Sequence, residues 1–275
     1  MELIDCHSHT AYSGHGEGSL ADAVARACEL DLAVYAQTEH LTLPEELDPQ
    51  REDSMSPEDA ALYLEQLRAL QGVLQRKGLR TQLVAGIEAD WLPGREAELR
   101  DLCAPYDYVI GSIHFLDGLP LDNDERMELW EQRGVDGVWE LYLNTLEELI
   151  RSGAPVNCLG HLDLPKVFGQ RPSFNVGEAF CDLAPLVAGR ELIIELNTAG
   201  WFKPAREQYP AVDVLRAFCQ AGVACTVGCD AHRPCQLGRG VREAYGLLYE
   251  AGYRHVTAPT AGTARSGLWR RFELK

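Results

Sequence analysis

Seven short apolar runs punctuate the chain, at residues 3–5 (LID), 32–38 (LAVYAQT), 82–88 (QLVAGIE), 108–113 (YVIGSI), 156–160 (VNCLG), 192–197 (LIIELN) and 223–228 (VACTVG). Runs this short, without polar alternation, read as strands buried on both faces. Longer amphipathic stretches lie between them and carry helix-start signals. Ser19 stands three positions before Asp22, the spacing of a capping box, and Ser56-Pro57 is followed by Glu58 and Asp59. Both patterns supply acceptors where the first amides of a helix have none. Gly78 closes the second of these helices, and further helices are predicted over 94–103, 136–152, 176–188, 211–221 and 240–251, with Gly153 and Gly222 as stops. Strand and helix alternate along the chain, which predicts an α/β fold wound as a barrel rather than an open sheet.

Residues 41–56 and 117–126 are both polar and proline-bearing, so both read as long loops. Loops over strand ends often form sites. No repeat, low-complexity tract or change in composition divides the chain, so residues 1–275 are expected to form a single domain. The segment after Ala258 has no clear pattern.

Histidines 7, 9, 15, 40, 114, 161 and 232 fall at or just after the C-terminal end of one of the apolar runs; His255 does not. Barrel enzymes place their chemistry at that face, where the loops converge on the mouth. One histidine at a strand end is more often an ordinary hydrogen-bonded loop residue, and His-x-His alone is a weak signal. Random placement would not put so many there together. In Asp5-Cys6-His7-Ser8-His9 the side chains of 5, 7 and 9 share one face of an extended segment. Two imidazoles can then grip one ion, with Asp5 orienting a ligand from behind. Asp230-Ala231-His232 offers a carboxylate and an imidazole after the last long strand, and Glu88 can bridge two ions through its two oxygens. Asp163 and Glu39 stand beside candidate ligands, where each can equally cap a helix or accept an ordinary hydrogen bond.

Composition narrows the partners. With 46% hydrophobic and 24% charged residues the chain is ordinary for a globular protein, but its formal net charge is −17. That charge repels phosphate backbones, so no nucleic-acid partner is expected. A small phosphate ester is not excluded, because bound divalent cations reverse the potential inside a site. No apolar run approaches the roughly 18 residues of a membrane span, and MELIDCHSHT carries acids where a signal peptide needs a basic region. A cytoplasmic protein without membrane association is expected. The nine cysteines (6, 28, 103, 158, 181, 219, 225, 229 and 235) include no Cys-x-x-Cys pair and read as reduced core thiols; Cys225 and Cys229 read as strand neighbours rather than zinc ligands. Nothing in the sequence specifies an oligomeric state.

Taken together, DCHSHT at 5–10, SGHGEG at 13–18, TEH at 38–40, GIEAD at 86–90, YVIGSIHFL at 108–116, GHLDLPKVFG at 160–169, LNTAG at 196–200 and GCDAH at 228–232 resemble the PHP (polymerase and histidinol phosphatase) family. The resemblance runs nearly the whole chain and is strongest to the monofunctional histidinol-phosphate phosphatases of that family. It implies a distorted (β/α)7 TIM-like barrel with three divalent metal ions, manganese, iron or zinc. By that resemblance His7, His9, Glu88 and Asp230 hold one ion, Glu88, His114 and His161 a second, and His15, His40 and His232 a third.

The activity so implied is hydrolysis of L-histidinol phosphate in histidine biosynthesis, by a metal-bridging hydroxide held by Glu88, Asp230, His7 and His9. Lys166, Lys203 and Arg206 are candidates for phosphate contact, Glu17 and Phe115 for the amine and imidazole of the substrate, and Asn197 for a polar contact at a strand end. Two departures stand out. The family usually has Thr-Asp-His where this chain has Thr38-Glu39-His40, so the longer acid must adjust the surroundings of His40. The family also tends to have a basic residue at both positions 202 and 203, where this chain has Phe202 and Lys203; Arg206 is the expected substitute. Three other readings compete: a PHP phosphoesterase for another small ester or nucleotide, a metal-dependent amidohydrolase, and a non-catalytic metal-binding interaction module. The long insertion between His40 and Glu88, with HLDLPK and NTAG, favours the histidinol phosphatases over the first. The extra ligands at 15, 40 and 114 disfavour the second, and a complete ligand set disfavours the third.

Overall fold

The computed structural model describes residues 2–263 and 267–274. Strands form in each of the seven apolar runs: β1 Ile4–Asp5, β2 Val34–Gln37, β3 Gln82–Asp90, β4 Tyr108–Ser112, then, after a hairpin of β5 Phe115–Leu116 and β6 Leu119–Pro120, β7 Cys158–Leu159, β8 Ile193–Asn197 and β9 Cys225–Gly228. Leaving the hairpin aside, they pair in parallel in the order β1-β2-β3-β4-β7-β8-β9. The two ends of this sheet meet. The Cys6 amide donates to the Val227 carbonyl at 2.9 Å, and Ser8 pairs in parallel with Ala231. The result is the expected α/β barrel, distorted because β1 and β7 contribute only two residues each.

Helices α1 Leu20–Glu29, α2 Pro57–Lys77, α3 Glu96–Cys103, α4 Glu128–Ser152, α5 Val176–Gly189, α6 Val212–Gln220 and α7 Val241–Ala251 follow the strands. Their starts obey the sequence signals. Ser19 and Asp22 form a reciprocal capping box, and the Ser56 hydroxyl accepts from the Asp59 amide at 3.0 Å. Gly78 and Gly153 end α2 and α4 with left-handed backbones that glycine adopts without a Cβ clash. Three elements differ from expectation. Asp117-Gly118, read as loop, turns the β5–β6 hairpin with φ of 52° and 75°, the conformation that an Asp-Gly pair favours. The fourth helix begins before Gly134, whose φ of 66° kinks it, rather than at 136. The segment after Ala258 belongs to an antiparallel pair, β10 His255–Pro259 with β11 Trp269–Glu273. It touches the N-terminal ends of the barrel strands: Trp269 meets Tyr108 edge-on, and the Gly262 amide donates to Asp107 at 3.0 Å. His255 is an exposed residue of β10.

Cys6, Cys103, Cys158, Cys225 and Cys229 are buried thiols, whereas Cys181 and Cys235 are exposed and do not belong to the core. Among the described residues no helix is long and apolar enough to cross a membrane.

Asp5 plays a different part from the one expected. Its oxygens accept the amides of Cys229 and Gly238, each at 2.9 Å, so it fastens β1 to the turn after β9 instead of orienting an imidazole. Burial pushes its carboxyl up to about 6 despite those bonds. Asp5→Ala would leave the buried Cys229 amide and the part-buried Gly238 amide without acceptors and is expected to destabilise the fold by about 1–3 kcal/mol in urea unfolding; an unchanged midpoint would refute the role of this clasp.

Candidate metal centre

Glu88 lies on β3 and is fully buried. Its backbone is paired on one side with His40 and on the other with Ile110, so the side chain has one direction available. Five imidazoles surround the carboxylate. Oε2 lies 3.2 Å from His7 Nε2, 3.4 Å from His9 Nε2 and 3.1 Å from His40 Nδ1, while Oε1 lies 2.9 Å from His161 Nε2 and 3.7 Å from His114 Nε2. The Ser112 hydroxyl donates to Oε1 at 2.6 Å. Asp230 completes the wall, its Oδ1 lying 3.3 Å from His9 Nε2 and 3.9 Å from His7 Nε2. At φ 51° Asp230 sits in the left-handed region, a strained backbone that persists because the Asp230 amide is held by the His7 carbonyl at 2.8 Å. Asn197 Nδ2 donates to Asp230 Oδ2 at 3.2 Å. Asn197 therefore positions a carboxylate rather than lining the cavity.

The remaining histidines close the rim. His15 Nε2 lies 2.9 Å from His232 Nε2, and the His9 ring stacks between His40 and His232 with centroids 4.3 and 4.6 Å away. All nine side chains expected as metal ligands thus meet at one mouth, although the tightest donor groups are partitioned differently from the expected trios. His40 and His232 converge with His9 as well as approaching His15, and His40 also converges with His114 and Asp90.

The donors fit divalent cations. Glu88 Oε2 and His40 Nδ1 are buried without a hydrogen-bond partner, and ring nitrogens face one another at 3.1 Å in the His7/His9 and His114/His161 pairs. Lone pairs brought so close repel unless a positive charge sits between them, and mixed imidazole and carboxylate donors suit manganese, iron and zinc alike. Electrostatics agree. Burial pushes the Glu88 carboxyl up, but His7, His40 and His114 hold it well below the usual carboxylate range. Burial pulls His40 well below the ordinary imidazole value, and together with His9 it drops His232 to about 3, leaving both neutral and able to donate a lone pair. His7 and His114 also lose stability as cations through burial, yet the carboxylates of Glu195 and Asp90 head the charges that raise them well above normal.

Those two acids escaped sequence reading. Glu195 Oε2 lies 2.8 Å from His7 Nδ1, and Asp90 Oδ1 lies 3.0 Å from His114 Nδ1 while accepting the His114 amide at 2.9 Å. Each turns Nε2 of its ring toward Glu88. The signal was present: an acid inside the apolar run LIIELN, and a second acid on the same face of β3 two residues beyond Glu88. Gly228 makes room for this arrangement, since a Cβ there would lie 2.4 Å from His7 Cβ. Glu39 reaches His40 only through Ser13. It accepts the Thr10 amide and hydroxyl, Gln37 Nε2 and the Ser13 hydroxyl, and Ser13 Oγ in turn lies 3.1 Å from His9 Nδ1 and accepts the His40 amide.

Beside the donors opens a cavity of about 690 Å³. Asp53, Asp122, Asp124 and Glu125 line it from the loops after β2 and β6, while Lys203, Arg233 and Arg239 line it from the loops after β8 and β9. One sector is acidic and the other basic. Phe115 also lines the cavity. Three expected contacts lie elsewhere. Lys166 is buried, with Nζ 2.8 Å from both Asp163 and Glu207, so its charge is spent on those acids. Arg206 is exposed away from the cavity, at φ 53° on the turn after Lys203. Glu17 is paired with Arg233 at 2.6 Å.

A family model described as the PHP domain matches residues 5–199. The chain belongs to the PHP family. A Deinococcus radiodurans relative named probable histidinol-phosphatase is 34% identical over 258 residues, covering 93% of this chain and 96% of that one. Two solved structures share the fold, each with a TM-score of 0.79. The putative histidinol phosphatase of Listeria monocytogenes is 24% identical and covers 87% of this chain and 99% of its own. The histidinol phosphate phosphatase of Lactococcus lactis, complexed with zinc, L-histidinol and phosphate, is 20% identical and covers 95% and 98%.

Glu195→Gln removes the charge behind His7 and is expected to weaken zinc binding by about 10- to 100-fold, read by competition with a chelating dye. Equal affinity in the variant would show that the contact does not set the ring.

Proposed function

We infer that this protein is a phosphoric monoester hydrolase that converts L-histidinol phosphate to L-histidinol and inorganic phosphate in histidine biosynthesis. The observation that carries this reading is the convergence of seven imidazoles and two carboxylates beside a charge-divided cavity, in a chain that matches a histidinol-phosphatase relative along almost its full length. Against the rival family reading, a phosphoesterase for another small phosphate ester or nucleotide, the acidic lining residues suit a substrate with an ammonium and an imidazole at one end.

Three divalent ions, manganese, iron or zinc, fit the donors: His7, His9, Glu88 and Asp230 for one, Glu88, His114 and His161 for another, and His15, His40 and His232 at the rim. Bound there, such cations neutralise phosphoryl oxygens and bring the deprotonation of water close to neutral pH. The chain's residues do the rest. Glu88 joins two donor groups through its separate oxygens, so their spacing is fixed by one rigid carboxylate. Glu195 and Asp90 hold Nδ1 of His7 and His114, which directs Nε2 of each ring toward Glu88. Lys203 offers positive charge to the phosphoryl oxygens. Asp122 and Glu125 attract the cationic end of the substrate, and Phe115 presents an apolar face to its imidazole. The cavity lies within the roughly 300–1,000 Å³ typical of small-molecule sites.

We place the protein in the cytoplasm as one domain over residues 1–275, with no nucleic-acid or membrane partner. Nine free thiols suit a reducing compartment.

Phosphate release from L-histidinol phosphate, measured after reconstitution with manganese, iron or zinc, should exceed that from unrelated esters. His9→Ala and Glu88→Ala should each lower it by at least about a hundredfold. Equal turnover of unrelated esters would remove the named substrate. Asp122→Asn is expected to raise KM a few-fold with kcat held, in an effect that fades with added salt; a fall in kcat alone would contradict a role in attracting substrate.

A further inference from the structure

Resting on the phosphatase reading, we propose that Arg239 is a phosphate-binding residue of this cavity, carried on Phe202 as a platform. The Arg239 guanidinium lies 3.6 Å from the centroid of the Phe202 ring, and both residues line the cavity. Phe202 is 48% exposed, so its ring stands at the cavity wall with a face available to the guanidinium. The chain has 42 acids against 25 lysines and arginines. Two of the nearby cations are accordingly claimed: Arg233 by Glu17, and Lys166 by Asp163 and Glu207. Among the described residues the Arg239 guanidinium has no acidic partner, and its Nε is buried without any hydrogen-bond partner.

The residue is also held in place. The Thr198 hydroxyl donates to the Arg239 carbonyl at 2.6 Å. Gly240, at φ 77°, presses against Trp201 so closely that a Cβ would come within 2.6 Å of the indole, and Trp201 Nε1 donates to Gln208 Oε1 at 3.0 Å. The turn after β8 and the start of α7 therefore lock together around this arginine. A guanidinium stacked on an aromatic face keeps its edge N–H groups free, and that planar fork matches two phosphoryl oxygens at once. Because its backbone is fixed and its charged end rests on a ring, little side-chain freedom is lost on binding. Lys203 contributes a point charge in the same sector, whereas the Arg239 fork sets the orientation of the anion. The basic position that Arg206 was expected to supply after β8 is thus filled from the neighbouring loop after β9, which also carries Asp230 and His232.

The test is calorimetric titration of zinc-loaded protein with inorganic phosphate and, separately, with L-histidinol, comparing wild type with Arg239→Met and Arg239→Lys. Arg239→Met keeps the apolar stem over Phe202 and is expected to weaken phosphate about tenfold while L-histidinol binds unchanged. Arg239→Lys, which keeps charge without the fork, should fall between the two. Phosphate affinity unchanged in both variants would overturn the proposal, as would an equal loss for L-histidinol and phosphate, the mark of a packing role. Phosphate binding is read without turnover, so a wild-type protein that fails to hydrolyse L-histidinol phosphate would sink the substrate reading alone.

Discussion

A single carboxylate enclosed by imidazoles sets the terms for this molecule. Glu88 is wholly buried, and an isolated charge at that depth would be expelled or neutralised. It stays ionised because His7, His9, His40, His114 and His161 all present a nitrogen within 4 Å of it. Those five come from four different strand ends, so the charge can be accommodated only when the strands hold their places around the ring. The frame and the donor cluster therefore depend on each other. The strands position the imidazoles, and the imidazoles make a buried acid tolerable inside the barrel.

The supporting acids extend the same logic outward. Glu195 and Asp90 each take the far nitrogen of a ring, and Glu39 gathers Thr10, Gln37 and Ser13 beneath His9 and His40. Beyond them the charge pattern changes character. Around the cavity, the loops after β2 and β6 bring Asp53, Asp122, Asp124 and Glu125, while those after β8 and β9 bring Lys203, Arg233 and Arg239, so a substrate with opposite charges at its two ends can meet each set. A surface of high negative charge can thus surround a site that receives an anion.

Much of this was legible along the chain. Short apolar runs, capping pairs and stop glycines located the strands and helices, since those signals act within a few residues of where they stand. Histidines at strand ends exposed the mouth of the barrel for the same reason. What escaped was long-range or depended on pairing. Glu195 sits inside an apolar run, and only the ring geometry puts it behind His7. Lys166 follows a candidate ligand closely, yet two acids claim it, one of them from a loop far along the chain. Asp5 points away from the imidazoles it precedes because the turn after β9 supplies two amides for it. The Asp117-Gly118 turn was a local signal passed over amid polar neighbours.

The seam between β1 and β9 couples closure of the ring to the donor cluster. His7 and His9 follow the first barrel strand, Asp230 and His232 the last, and they become neighbours only across that seam. The donor group of His7, His9 and Asp230 therefore exists only while the seam is closed, whereas His7, Glu88 and His161 meet without it. A divalent cation held by the first group would rivet the two ends of the sheet together.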